Sequence, residues 1–241
     1  MKTINLFFDF EFTSLSPDAQ PISLGIVSDE YFPKFGMLKQ THGEGSLREK
    51  SFYAEFSDFD IDRCDDWVKA YVVPKLILQQ AYNEMTTDFP DSIMRTARSL
   101  GEHSHKEFCS NTANIKKEFL EWLQQFSEYN IQFVGDCATF DWYWMLQLIG
   151  EWEKKEYGKA NMMGYFPSCK VGLPILPSNI SPIPQDLNDL IAYKKEISIC
   201  EAFGLDRFKD FENDWDFVDQ ANKHNSLWDA KVIKKIFNKL K

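Results

Sequence analysis

Near the start of the chain, Phe7-Phe8-Asp9-Phe10-Glu11-Phe12-Thr13 places two carboxylates inside an otherwise apolar run. The surrounding Ile4 to Phe12 reads as a core strand. Side chains two apart in a strand point the same way. Asp9 and Glu11 therefore share one face, while Phe8, Phe10 and Phe12 pack on the other. Like charges held that close repel, and burying either one is expensive unless something neutralises it. A divalent cation is the simplest neutraliser, so the segment reads as half of a metal site. The alternative is an edge strand with its acidic face in water, and Asp-x-Glu is too short a pattern to decide between them.

The remaining chain has the rhythm of an α/β domain with a mixed central β-sheet flanked by α-helices. Pro21 to Val27 and Ser51 to Phe56 are the next two expected strands, and Asp62 to Leu78 carries a helical pattern limited by Pro74. Asn111-Thr112 caps a helix whose apolar residues Ile115, Phe119, Trp122, Leu123 and Phe126 recur at helical spacing. Ile131 to Gly135 is a further strand, followed by an apolar helix from Trp142 to Ile149 that Asp141 opens. A helix is expected over Asp186 to Tyr193, and an amphipathic one over Ser226 to Leu240. The polar stretch from Asn83 to Asn111 and the proline-containing stretch from Tyr157 to Pro184 read as insertions or loops.

A length of 241 residues with 44% hydrophobic and 15% aromatic side chains supports a single domain with a large core. The formal net charge of −10 argues against wrapping duplex DNA or lying on an anionic membrane. It leaves room for an enzyme that grips a short single-stranded end. Cys64, Cys109, Cys137, Cys169 and Cys200 are scattered, with no C-x-x-C pair, so reduced thiols are expected rather than zinc or disulfides. With the first strand starting almost at Met1 and no long apolar run, a cytoplasmic protein without a membrane segment is the expectation.

Two more acids invite comparison with the first pair. Asp141 follows a strand at the start of a helix, and Asp229 lies in the first turn of the last helix, five residues after His224. Carboxylates at strand ends and helix starts can converge on one sheet edge, where open α/β sheets place their active sites. Each also has a plain explanation: Asp141 as a charge favourable to a helix N-terminus, Ser226-x-x-Asp229 as a capping box, and His224 as a loop histidine.

In order and context, Asp9, Glu11, Asp141, Asp229 and His224 resemble the four acids plus histidine of the DEDDh 3′–5′ exonuclease superfamily. Pro21 to Val27 looks like that family's second strand. Asp66-Trp67-Val68-Lys69-Ala70-Tyr71-Val72-Val73-Pro74-Lys75-Leu76 is similar to a segment of the RNase AS branch, bacterial 3′-exoribonucleases acting on adenylate-rich ends. Thr139-Phe140-Asp141-Trp142, with Gln147-Leu148-Ile149-Gly150, resembles the second motif of that branch. His224-Asn225-Ser226-Leu227-Trp228-Asp229-Ala230 resembles the third and is the most specific match. The likeness covers about residues 4–82 and 115–240, one domain over 1–241 with insertions near 33–50, 83–111 and 157–184.

The resemblance implies an RNase H-like fold and a two-metal phosphodiester hydrolysis with Mg²⁺ or Mn²⁺. It assigns Asp9 as bridging ligand, Glu11 and Asp229 to the nucleophile-side ion, and Asp141 to the second. His224 becomes the general base toward the attacking water, a role that an imidazole pKa near about 6.5 suits. Thr13 is the expected substrate contact beside the first motif, with Phe10 and Phe12 left to the core. The implied partner is a single-stranded nucleic-acid 3′ end, RNA favoured over DNA. Several members of the superfamily are dimers, so a homodimer is compatible with the likeness.

Two other readings compete. A HAD-type phosphatase would use Asp9 as a nucleophile, with Asp9-Phe10-Glu11-Phe12-Thr13 as its first motif and Gly135-Asp136 as an echo of its last. Glu11 is one methylene too long for that scheme, which also leaves His224 and Asp229 idle. A non-catalytic nucleic-acid-binding module is the third class, disfavoured by acids at all four positions. Asp136 stands close enough in sequence to compete with Asp141 for the metal centre.

Overall fold

The computed structural model describes residues 1–29, 50–76, 78, 105–151, 174–207, 209–211 and 223–241. Its centre is a six-stranded sheet in the order β4-β3-β2-β1-β5-β6. The strands are β1 (Lys2–Phe12), β2 (Pro21–Ser28), β3 (Ser51–Phe56), β4 (His105–Ser110), β5 (Tyr129–Gly135) and β6 (Gln185–Asp186). β2 runs antiparallel to both β1 and β3, whereas the pairs β3–β4, β1–β5 and β5–β6 are parallel. This is an α/β architecture with a mixed central sheet, consistent with an RNase H-like fold.

The alternation in β1 builds two cores. Ile4, Leu6, Phe8, Phe10 and Phe12 face one side, where Phe119 and Trp122 of α2 (Thr112–Leu123) and Trp142 and Met145 of α3 (Ala138–Ile149) meet them. The Phe8 ring lies edge-on to Phe133 at 5.6 Å and to Trp142 at 6.2 Å. Phe7 faces the opposite side with Val27 and Val134, under α4 (Leu187–Lys195) and α6 (Ser226–Leu240). There it meets the Phe237 ring at 5.2 Å. Each such fully buried side chain stabilises the fold by about 1.5–3 kcal/mol. Asp9 and Glu11 thus belong to the α6 face, as the two-residue period requires, and Phe10 and Phe12 are core residues.

One glycine sets the distance of α6 from the sheet. Gly25 is the β2 partner of Asp9, and a Cβ there would lie 2.1 Å from the Leu227 amide nitrogen. The helix start can rest on the strand only because that side chain is missing. Ser226 Oγ and Ser23 Oγ, 3.0 Å apart, pin the same contact beside the register position of Glu11.

Several expected elements differ in detail. The single helix over Asp62 to Leu78 is instead a 3₁₀ turn (Ile61–Arg63), α1 (Asp66–Tyr71) and a second 3₁₀ turn (Val73–Lys75). Asp65 caps α1 by accepting from the Val68 amide, and Pro74 suits only the start of a new helical segment. The apolar helix begins at Ala138, four residues before the expected start at Trp142, where the Asp186 carboxylate accepts from the Ala138 amide at 2.9 Å. β4 and the short α5 (Ile199–Phe203) were not legible as elements. The insertion near 33–50 and most of those near 83–111 and 157–184 lie outside the described residues. Among the described residues Cys64, Cys109, Cys137 and Cys200 are free thiols, and no helix is long and apolar enough to cross a membrane.

Candidate metal centre

β5 pairs with β1 only as far as Phe7 opposite Val134. Beyond that point the chain leaves the sheet for α3, so the last residues of β1 lose their neighbour on that side. Asp9 and Glu11 occupy this overhang, at the carboxyl edge of the parallel strands, where ligand sites of open sheets form. A register shift between Glu11 and Phe12 ends the regular pairing with β2 just past the pair. Asp9 and Glu11 line a cleft of ≈ 520 Å³ together with Asp136, Cys137, His224 and Asp229.

α6 delivers the histidine and the third acid. Its N-cap is Asn225, whose side chain accepts from the Trp228 amide, so the capping box expected from Ser226 and Asp229 is displaced by one residue. Asp229 is thereby left for the cleft: its Oδ2 accepts the His224 amide at 3.1 Å. His224 adopts a left-handed backbone, φ 69°, which turns the chain abruptly into the helix. The bend is braced from the sheet by Tyr53, whose hydroxyl donates to Glu55 at 2.8 Å and lies 3.2 Å from Asn225 Nδ2. Trp67 of α1 meets the imidazole edge-on, with ring centres 4.8 Å apart.

Glu11, His224 and Asp229 can each offer a ligand atom within 4.8 Å of the others. Asp9 and Asp141 join them electrostatically. Burial, then the charges of Asp229, Asp141, Glu11 and Asp136, hold the Asp9 carboxyl well above the usual carboxylate range. Burial, then Asp229 and Asp141, do the same to Glu11. Asp141 is only 7% exposed, and its carboxyl is raised by burial and then by Asp136 and Asp186, against a hydrogen bond from the Phe10 backbone. Burial pushes Asp229 up to about 7, opposed by the His224 amide bond and by Lys223. The His224 imidazole is depressed by burial and by Lys223 and Lys75, so it is neutral near pH 7.

Asp136, the rival of Asp141, is spoken for. Arg207 clamps it with Nε donating to Oδ2 at 2.6 Å and Nη2 to Oδ1 at 2.9 Å, and Asn188 Nδ2 donates to Oδ1 as well. Asp136 still lines the cleft, yet its charge is compensated, whereas Asp141 has no such arginine among the described residues. Thr13 does not face the cleft. It is 1% exposed, and its hydroxyl accepts from the Gln20 amide at 3.0 Å, so its side chain holds the β1–β2 turn rather than a substrate.

Arg207, Asn188 and Asp186 escaped the sequence reading. Asp186 accepts from the amides that open α3 and α4, linking the two helix starts beside the cleft. The only sequence signal for any of them was the position of Asp186 at the start of the helix expected over Asp186 to Tyr193.

The donor set fits hard divalent cations. It is oxygen-rich, with one imidazole, and burial and mutual repulsion disfavour the charged form of each carboxyl, a cost that a bound cation would offset. Asp9, Glu11, Asp141 and Asp229 are the residues that would hold such ions, with a His224 ring nitrogen within reach of the Glu11 and Asp229 oxygens. Compared with family models and with curated proteins, the chain matches none.

Proposed function

We propose that this protein is a metal-dependent 3′–5′ exonuclease that trims single-stranded ends, RNA before DNA, to nucleoside 5′-monophosphates. The observation that carries the reading is the convergence of Asp9, Glu11, Asp141 and Asp229 on one sheet edge beside a neutral His224. When bound, Mg²⁺ or Mn²⁺ ions would neutralise the scissile phosphate and stabilise the charge on attacking and leaving oxygens.

The chain's own residues supply the remainder. The four carboxylates would hold the cations. His224, kept neutral by burial, has a lone pair free to accept the proton of the attacking water. Its bend is fixed by the Asp229 bond and the Tyr53 brace, and Trp67 limits rotation of the ring. The cleft's volume, ≈ 520 Å³, falls within the range of small-molecule sites.

The phosphatase alternative fares less well. It leaves His224 and Asp229 without a task, and the antiparallel strand beside Asp9 is foreign to the mostly parallel doubly wound sheet such an enzyme uses. The test is direct. 5′-Labelled single-stranded RNA and DNA oligomers of matched sequence should shorten stepwise from the 3′ end with Mg²⁺ or Mn²⁺, and not with EDTA. RNA should be consumed faster. Hydrolysis of p-nitrophenyl phosphate with oligomers left intact would replace the exonuclease by the phosphatase.

A further inference from the structure

A large aromatic side chain stands in the wall of the acidic cleft with no assigned task. Phe203, the last residue of α5, lines the cleft yet is 60% exposed. Among the described residues no ring stacks on it and no cation covers it. The backbone that carries this phenyl is anchored. α5 is opened by a complete capping box between Ser198 and Glu201, and Ala202 beside it is wholly buried.

The loop that follows is equally fixed. Arg207 Nη1 donates to the Ala202 and Leu205 carbonyls at 2.9 and 3.2 Å, while its other nitrogens grip Asp136 and Asn188. Farther on, the Asp206 amide donates to Asp210 and the Lys209 amide donates back to Asp206. The arginine therefore ties the peptide on which Phe203 is mounted to the strand end that carries the cleft. Its five donors are engaged, so it offers little to a passing phosphate.

That leaves the question of how a chain of net charge −10 holds a polyanion. Long-range attraction opposes binding, and the cleft walls are acidic. Stacking needs no charge: every base has a π-face, and an aromatic platform grips it whatever the sequence. The sheet order puts α1 and Trp67 on the β2 side of β1, and the Arg207-anchored loop on the β5–β6 side. Phe203 and the imidazole neighbourhood thus border the carboxylates from different sides.

We propose that Phe203 is a stacking platform for a nucleobase of the strand whose 3′ end lies at the carboxylates. This inference rests on the exonuclease reading. The Arg207 clamp is the positioning element: it ties the backbone that carries Phe203 to Asp136 at the wall of the same cleft as Asp9.

The experiment compares the full-length protein with Phe203→Ala, Phe203→Leu and Phe203→Trp on single-stranded oligomers, with Mg²⁺ or Mn²⁺. A second set of oligomers lacks the base at the last or the penultimate nucleotide. The exposed phenyl supports little of the fold, so the variants should melt with the parent. Phe203→Ala and Phe203→Leu should raise KM by between about 5-fold and 100-fold, with the loss in KM rather than kcat. Phe203→Trp should restore it. The wild-type protein should lose the same factor on one of the base-free oligomers, and on that oligomer Phe203→Ala should lose nothing further. An unchanged KM in Phe203→Ala, an equal loss on every base-free oligomer, or a change confined to oligomeric state would overturn the platform while leaving the exonuclease standing. A wild-type protein that releases no 5′-mononucleotide with either ion would overturn both.

Discussion

Replacing Asp229 by Asn should make the metal-free protein more stable, because the carboxylate is held where it disfavours folding. An ordinary Asp ionises near about 3.9, and burial lifts Asp229 to about 7. The sign follows from linkage. Below pH ~4 the carboxyl is protonated in folded and unfolded chains alike, and no penalty exists. Between pH ~4 and about 7 only the unfolded chain ionises, so stability falls as pH rises, and above about 7 the loss is constant. The full difference corresponds to about 4 kcal/mol, of which water entering the open cleft leaves about 2–4 kcal/mol. Asn keeps an oxygen to accept the His224 amide and removes the largest like charge on both Asp9 and Glu11. In EDTA at pH 8, Asp229→Asn should therefore raise the melting temperature by about 4–16 °C, and at pH 4.5 by no more than a few degrees. Mg²⁺ or Mn²⁺ should reverse the order, since bound cation stabilises the parent and no longer the variant. A variant no more stable than the parent at pH 8, or equally more stable at both pH values, would refute the crowded-carboxylate reasoning.

Three further outcomes follow from the same geometry. His224→Asn, which tolerates the left-handed backbone at φ 69°, should melt within a few degrees of the parent while exonuclease turnover falls by ~10²–10⁴; a near-normal rate would remove His224 from the proton-accepting role. Gly25→Ala must displace the start of α6, whose Leu227 amide nitrogen lies 2.1 Å from the new Cβ, so urea denaturation should register a loss of about 3 kcal/mol or more together with lost turnover. Arg207→Met strands Asp136 against the cleft without its guanidinium partner and should destabilise the metal-free protein by about 3 kcal/mol. Adding Asp136→Asn should recover part of that loss in the same denaturation assay, and no recovery would show that the clamp acts through the loop carbonyls instead.

Much of the sheet was legible because its signal is local. A strand buried on both faces reads as an apolar run, and the two-residue period places Asp9 and Glu11 together without reference to any other element. The helices Thr112–Leu123 and Ser226–Leu240 were equally plain, since Asn111 announces the first and apolar spacing the second. Short segments were harder: Asp66–Tyr71 was read only as part of a longer helix over Asp62 to Leu78, and Ile199–Phe203, held by its capping box, is too short to show a helical period.

The roles within the cleft divide along the same line. Periodicity paired Asp9 with Glu11, whereas Asp141, Asp229 and His224, each with a plain explanation of its own, were joined to them by the resemblance to the exonuclease superfamily. That resemblance preferred Asp141 to Asp136 without showing what sets them apart, and nothing in the sequence told that the Thr13 hydroxyl is consumed by the Gln20 amide. Those choices hinge on partners far away in the chain: an arginine 71 positions from Asp136, and a glycine that lets Leu227 approach the strand carrying Asp9's partner. Charge compensation and close approach are properties of folded neighbours, so only the tertiary structure decided which carboxylates remain crowded and which are already paired.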